Sequence, residues 1–192
     1  YMQPALPKGA EEGILRGAHQ IKQGGKGRVR IQLLGSGTIL REVLEAAALL
    51  QQDFDIPADV WSVTSFNILR REAMDVERWN RLHPMEKPRR SYVQECFGDV
   101  QGPMVAATDY MAAIPDQIRQ WVSGSYLTLG TDGYGRSDGR EALRRHFEVD
   151  RYQIVVAALR ALADEGSIDR ETVGQAITRF GIDPEKPNPV ND

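Results

Sequence analysis

The residues best placed to do chemistry lie in a glycine-rich loop, TDGYGRSD, from Thr131 to Asp138. Asp132 or Asp138 could act as acid, base or metal ligand, with Tyr134, Arg136 and Ser137 beside them. A metal would want more carboxylates close by than this loop offers. The plainer reading is capping and turn chemistry, in which Asp and Ser bond nearby backbone while the glycines free its dihedrals. A tyrosine and an arginine in an exposed loop also suit contact with another domain or subunit. A second loop, Gly35-Ser36-Gly37-Thr38, separates a strand-like run from a helical pattern. It could hold an anion weakly at a helix start. It lacks the third glycine of a dinucleotide fingerprint and the lysine of a P-loop, so a tight turn is again the plainer reading. His19, His83 and His146 share no motif with a carboxylate, cysteine or second histidine at ligand spacing. Cys96, between Glu95 and Phe97, has no nucleophile signature and reads as a packing residue. Lys87, Arg89 and Arg90 read as a solvated basic loop, and Trp61, Trp79 and Trp121 as packing residues.

The elements that must position these residues follow from periodicity. Tyr126 to Leu129 is a β-favouring run that feeds the 131–138 loop. Asp138 with Glu141 has the form of a capping box, which predicts a helix ending near Phe147. Asp150 with Gln153 repeats the pattern and starts another. Val29 to Leu34 is a strand, and the helix after Gly37 runs to about Leu50 with Leu40, Val43, Leu44 and Ala47 on one stripe. Asp59 to Thr64 is a second strand. Asn67 is a candidate cap for a helix that His83-Pro84 ends near Leu82. Ser91 to Phe97 reads as a turn or two of helix. Pro103 to Ala107 is a third strand, after which Asp109 could cap a helix that Pro115 kinks or restarts. Asp169 caps a last helix, with Val173, Ile177 and Phe180 inward and Gly181 closing it. Near the start, Ile14, Ala18 and Ile21 predict one helix over residues 10–23.

Strands alternating with helices predict an α/β fold of three layers. We expect a mostly parallel sheet of four or five strands with helices on both faces. The domain is expected over residues 10–183, after a proline-bearing linker over 1–9 and before a polar tail over 184–192 that need not be ordered. A start at Tyr1 with Met2 second suggests a piece of something longer. The net charge of −3 argues against a nucleic-acid footprint. No apolar run approaches the roughly 18 residues of a membrane span, and the first residues lack a signal-peptide layout. One cysteine fits a reducing, cytoplasmic compartment.

Four runs carry a specific resemblance. They are LLGSGTILREVLEAAALL (33–50), DVWSVTSFNILRREAMDVERWNRLHP (59–84), VAATDYMAAIPDQIRQWV (105–122) and LGTDGYGRSDGREALRRHFEVD (129–150). Together they resemble the carboxy-terminal domain of the homodimeric, bacterial-type pyruvate dehydrogenases, from about Pro4 to the end. The pattern Asp132-x-Tyr134-Gly135-x-Ser137, with Leu143 and Phe147 downstream, is similar to the third domain of transketolases generally. The resemblance implies a parent enzyme that decarboxylates pyruvate on thiamine diphosphate and passes the acetyl group to a lipoyl arm of the acetyltransferase component. It implies that the cofactor and its magnesium ion lie between the two domains that precede this one, with a Gly-Asp-Gly binding signature. That triplet does not occur in these 192 residues. The resemblance therefore places no catalytic, cofactor or metal residue here and implies a structural and assembly role. Its partners would be the preceding domains, a second copy of the enzyme and the dihydrolipoyl acetyltransferase component, with no nucleic acid and no membrane.

Overall fold

The computed structural model describes residues 6–25, 27 and 29–191. Five strands form one sheet: β1 (Ala18–Lys22), β2 (Ile31–Gly35), β3 (Ala58–Val63), β4 (Met104–Ala107) and β5 (Tyr126–Leu129). Their order is β1-β3-β2-β4-β5. The four strands β2 to β5 pair in parallel, and β1 closes one edge antiparallel to β3. Mostly parallel pairing requires both faces to be covered, and they are. The inward alternation of β2 sends Ile31 and Leu33 to one face and Leu34 to the other; β4 does the same with Val105 and Ala106.

One face is covered by α2 (Leu40–Phe54), α7 (Arg151–Asp164) and α8 (Arg170–Arg179), which bury Val43, Leu50, Ile154 and Leu159. The other carries α3 (Phe66–Leu82), α4 (Tyr92–Phe97) and the short α5 (Ala113–Asp116), around Phe66, Leu69, Phe97 and Ile118. A further short helix, α6 (Arg140–His146), lies over the carboxyl ends of the strands. Gly35 pairs with Ala107, and Ala107 with Leu129, so β2, β4 and β5 end in register and their loops leave at one level.

Two elements differ from the sequence expectation. Residues 10–23 are not one helix: α1 (Glu11–Arg16) stops at Gly17, whose φ is 108°. Gly17 then takes the backbone N–H groups of Thr64 and Ser65 on its carbonyl, and a Cβ there would lie 2.7 Å from the Ser65 oxygen. A left-handed residue held against a neighbouring chain breaks the helix, and the next five residues pair with β3 instead. The tail over residues 184–191 is docked. Lys186 donates to the carbonyls of Arg145 and His146 and to Glu148, and Pro189 packs on Gly133. The lysine charge meets the carbonyl end of α6, where a cation is favoured. Part of the expected 1–9 linker, residues 1–5, lies outside the described residues.

The predicted caps divide. Asp150 caps α7, accepting from the N–H groups of Tyr152 and Gln153. Ser91, not named as a cap from the sequence, forms a full capping box with Gln94 on α4. On α3 the cap is Ser65 rather than Asn67, because Ser65 already has extended backbone and its hydroxyl reaches the Ile68 N–H. At α6 the capping position is Gly139, and Asp138 folds back onto the Gly139 N–H at 2.6 Å. Asp109 caps nothing, since α5 begins only after Ala112. Asp169 stands at the start of α8 without a side-chain bond.

Candidate functional site

The chain turns one way from β2 to β3 and the other way from β4 to β5, so the direction of winding switches between β2 and β4. In open α/β sheets the loops beyond that switch part and leave a crevice. A cleft of about 390 Å³ opens there. It joins the two loops singled out in the sequence. Thr38 comes from the first, and Thr131, Gly133, Gly135 and Arg136 from the second. Its apolar floor is Ile39, Leu143, Phe147 and Val149. Asp109, Arg140 and Arg144 complete the wall.

The loop after β2 is a tight turn first. A Cβ on Gly35 would lie 2.8 Å from the Leu40 Cα, so glycine lets the chain pass close under α2. Ser36 is buried and its hydroxyl shares a 2.7 Å bond with that of Thr108, which stitches the β2 and β4 exits together. Gly37 has a φ of 55° and lies beside Asp109. Of this loop's polar side chains, Thr38 alone lines the cleft, donating to Asp109 at 3.3 Å. Across the cleft the Thr131 hydroxyl donates to the Asp109 carbonyl at 2.8 Å.

The 131–138 loop divides between brace and surface. Asp132 accepts the Ala112 N–H at 3.1 Å and so holds the loop after β4. Asp138 is occupied by the Gly139 N–H. Arg136 reaches the cleft wall, whereas Tyr134 is 81% exposed and points to solvent. Ser137 is exposed. The two aspartates therefore sit in separate structural roles, and the loop offers no paired carboxylates for acid–base work.

Sequence reasoning missed the charge network behind the cleft. Glu42 is buried in the first turn of α2 and takes Arg144 at 2.7 Å. It also takes the Arg151 side chain at 2.9 Å and the Arg151 backbone N–H at 3.1 Å. Burial alone would raise its carboxyl pKa, but the bonds and charge of Arg151 and the charge of Arg144 outweigh it and hold the group below the usual range. The network ties α2, α6 and α7 and fixes Arg144 as one wall of the cleft. No local motif announces it, because the partners lie about a hundred residues apart. A second network, at the far end of the sheet, joins Arg30, Gln32 and Gln20 to Asp59.

The remaining reactive side chains are dispersed. His19 lies on β1, where burial lowers its pKa. His83 stacks on Trp79 at the end of α3, with ring centroids 4.3 Å apart. His146 meets Phe147 edge-on at the end of α6. Burial pushes the Cys96 thiol up, away from the thiolate. Among the described residues no three His, Cys, Asp or Glu side chains could share a metal ion, and no helix is long and apolar enough to cross a membrane.

A family model, the transketolase-like TK C-terminal domain, matches residues 17–150. The chain belongs to that family. The transketolase-like fold is also found in solved structures. A Pichia stipitis transketolase superposes over 86% of this chain and 21% of its own, with a TM-score of 0.58 at 16% identity. A Leishmania mexicana transketolase covers 80% of this chain and 19% of its own, with a TM-score of 0.53 at 15% identity. At that identity the likeness speaks for the fold. Sequence relatives are much nearer. The pyruvate dehydrogenase E1 component of Pseudomonas aeruginosa is 60% identical over 100% of this chain and 22% of its own length. That of Escherichia coli K12 is 52% identical over 98% of this chain and 21% of its own. The chain thus spans about a fifth of the relatives it matches, and it corresponds to their carboxy-terminal part.

Proposed function

We propose that this transketolase-like domain is the structural and assembly domain of a cytoplasmic pyruvate dehydrogenase E1 component. The parent enzyme would decarboxylate pyruvate on thiamine diphosphate and reductively acetylate the lipoyl group of the dihydrolipoyl acetyltransferase. The observation that carries this reading is 60% identity along the whole chain to an E1 component of which it spans 22%. The cofactor and its magnesium ion would be held by the preceding domains. The donor set of the cleft supports that division. Its wall offers one carboxylate, Asp109, beside three guanidinium groups, which does not fit a magnesium–diphosphate group that needs oxygen ligands on the metal. No step of the reaction is routed through this domain; its part would be to brace the catalytic domains and the dimer.

Two measurements test this. Titration of the 192-residue chain with thiamine diphosphate and magnesium should give no specific heat, and micromolar binding would overturn the reading. In the full-length enzyme, deletion of this domain should break the homodimer in sedimentation and abolish turnover. Preceding domains that stay dimeric and fully active alone would show that no scaffold is required. Exposure of Tyr134 beside Arg136 favours one further role, docking of the acetyltransferase component on the 131–138 loop. A pull-down with that component's peripheral binding domain should weaken in Arg136→Ala and Asp138→Ala. Unchanged capture in both would remove the loop from the interface.

A further inference from the structure

We infer that the Asp138-Gly139 peptide is a site of backbone self-modification, at which the aspartate closes to a succinimide and reopens as isoaspartate. The inference concerns this chain's own backbone and does not depend on the scaffold reading.

The chain holds two Asp-Gly pairs, Asp132-Gly133 and Asp138-Gly139, both in the loop after β5. In such a pair the side-chain carboxyl is open to attack by the next residue's backbone nitrogen, because glycine has no Cβ to shield that nitrogen. The sequence presents the two pairs alike; the fold does not. Asp132 is half-buried and both its oxygens accept the Ala112 N–H, at 3.1 and 3.3 Å. Gly133, at a φ of 103°, lies against the docked tail, with the Pro189 carbonyl in the space a Cβ would take. Ring closure there would pull the carboxylate off Ala112 and turn a backbone that the tail holds. Asp138 and Gly139 are both exposed. The Gly139 N–H donates to the Asp138 carboxylate at 2.6 Å, so the reacting nitrogen already rests against the carboxyl group it would attack. Among the described residues, nothing beyond its chain neighbours lies within 4 Å of where a Gly139 Cβ would stand, so the ring has room to form.

The step balances with water alone. The Gly139 nitrogen bonds to the Asp138 carboxyl carbon and gives up its proton. One carboxyl oxygen leaves as water, taking up that proton and another from solvent. Water then adds back to either carbonyl of the ring. Opening at the side-chain carbonyl restores aspartate. Opening at the main-chain carbonyl leaves the chain running through the Asp138 side chain, lengthened by a carbon. The added carbon falls just ahead of α6, where Gly139 holds the capping position without a side-chain bond. Arg144 ties the body of that helix to Glu42 at 2.7 Å, so the change displaces the loop and leaves the core packing in place.

The test incubates the 192-residue chain in heavy-oxygen water at neutral pH, folded and in urea. Its peptides are then mapped by electron-transfer fragmentation, which separates isoaspartate from aspartate. Each passage through the ring puts a heavy oxygen into the residue that reacted. In the folded chain, label and isoaspartate should build up at Asp138 about fivefold or more faster than at Asp132, because only the Asp138 pair is placed for attack. In urea the two sites should react at similar rates, since both then present the same Asp-Gly chemistry to solvent. Gly139→Ala should slow the folded-state reaction at Asp138 about fivefold or more, because its Cβ shields the nitrogen. Gly139 has a φ of −63° and a ψ of 150°, which alanine adopts without strain, so the variant keeps the fold for the comparison. Equal rates at the two sites in the folded chain would overturn the claim that the structure selects Asp138. So would a preference for Asp138 that persists unchanged in urea. An unlabelled Asp138 in the folded chain, or undiminished labelling in Gly139→Ala, would overturn attack by the Gly139 nitrogen.

Discussion

Glu42→Gln tests the network behind the cleft. The wild-type carboxylate takes Arg144 at 2.7 Å and Arg151 at 2.9 and 3.2 Å through its side chain, plus the Arg151 N–H at 3.1 Å. Removing one partner of a fully buried ion pair costs about 3–5 kcal/mol. Here the Glu42 side chain is 6% exposed, but Arg144 is 18% and Arg151 35% exposed. The two guanidinium groups can recover water, so screening cuts the loss to about 2 kcal/mol. For a chain of this length that lowers the melting temperature by about 4–8 °C. The pH profile carries a second signature. Because the folded-state pKa of Glu42 lies below its unfolded value, its stabilisation is complete above the ordinary glutamate range. It drains away as pH falls from about 5 through that range and beyond. Asp150 works with the opposite sign, since burial pushes its carboxyl up; that burial is present in both proteins, and only the smaller push from the Glu42 charge is lost in the variant. Urea unfolding of wild type and Glu42→Gln between pH 7 and 3 should therefore show the two stability curves converging at low pH. Parallel curves, or melting temperatures within 1 °C of each other at pH 7, would refute the claim that this carboxylate holds α2, α6 and α7 together.

Three other expectations follow from single contacts. Gly133 has a φ of 103°, and a Cβ there would lie 2.3 Å from the Pro189 oxygen. Gly133→Ala should cost about 1–2 kcal/mol and push the tail off its seat, seen as faster proteolytic cleavage within residues 184–191. Ser36→Ala leaves the buried Thr108 hydroxyl without its 2.7 Å partner and should cost about 1–3 kcal/mol in chemical unfolding. Phe97 is fully buried and meets Trp61 edge-on with centroids 5.0 Å apart, so Phe97→Ala should cost about 3–5 kcal/mol. A loss under 1 kcal/mol would mean that the α4 side of the core is not packed as described.

Much of the fold was legible because it rests on local rules. The alternation in VRIQLL and the stripe through α2 set strand and helix by period alone, and observed ends fall within a few residues of those expected. Asp150 caps as read, since a cap needs only its own next three residues. Residues 10–23 misled because their apolar spacing fits a helix, whereas Gly17 is pressed against Ser65 by a strand pairing forty residues away in sequence. The candidate loops were found as loops, but their side chains were only partly assigned. Asp132 and Ser36 turned out to brace the strand exits, and Arg140 and Arg144 entered the cleft from a helix read only for its caps.

The sequence by itself determined the α/β class, the parallel core, most element boundaries and the family, because each depends on periodicity, turn chemistry or runs of identical residues. Only the tertiary structure decided the strand order, the antiparallel edge, the meeting of Thr38 with Thr131 across Asp109, and the Glu42 network. These depend on which distant segments share space, and burial makes that choice collectively. Nothing in the chain near Glu42 names Arg144 or Arg151; the placing of α6 and α7 beside α2 brings them within 3 Å.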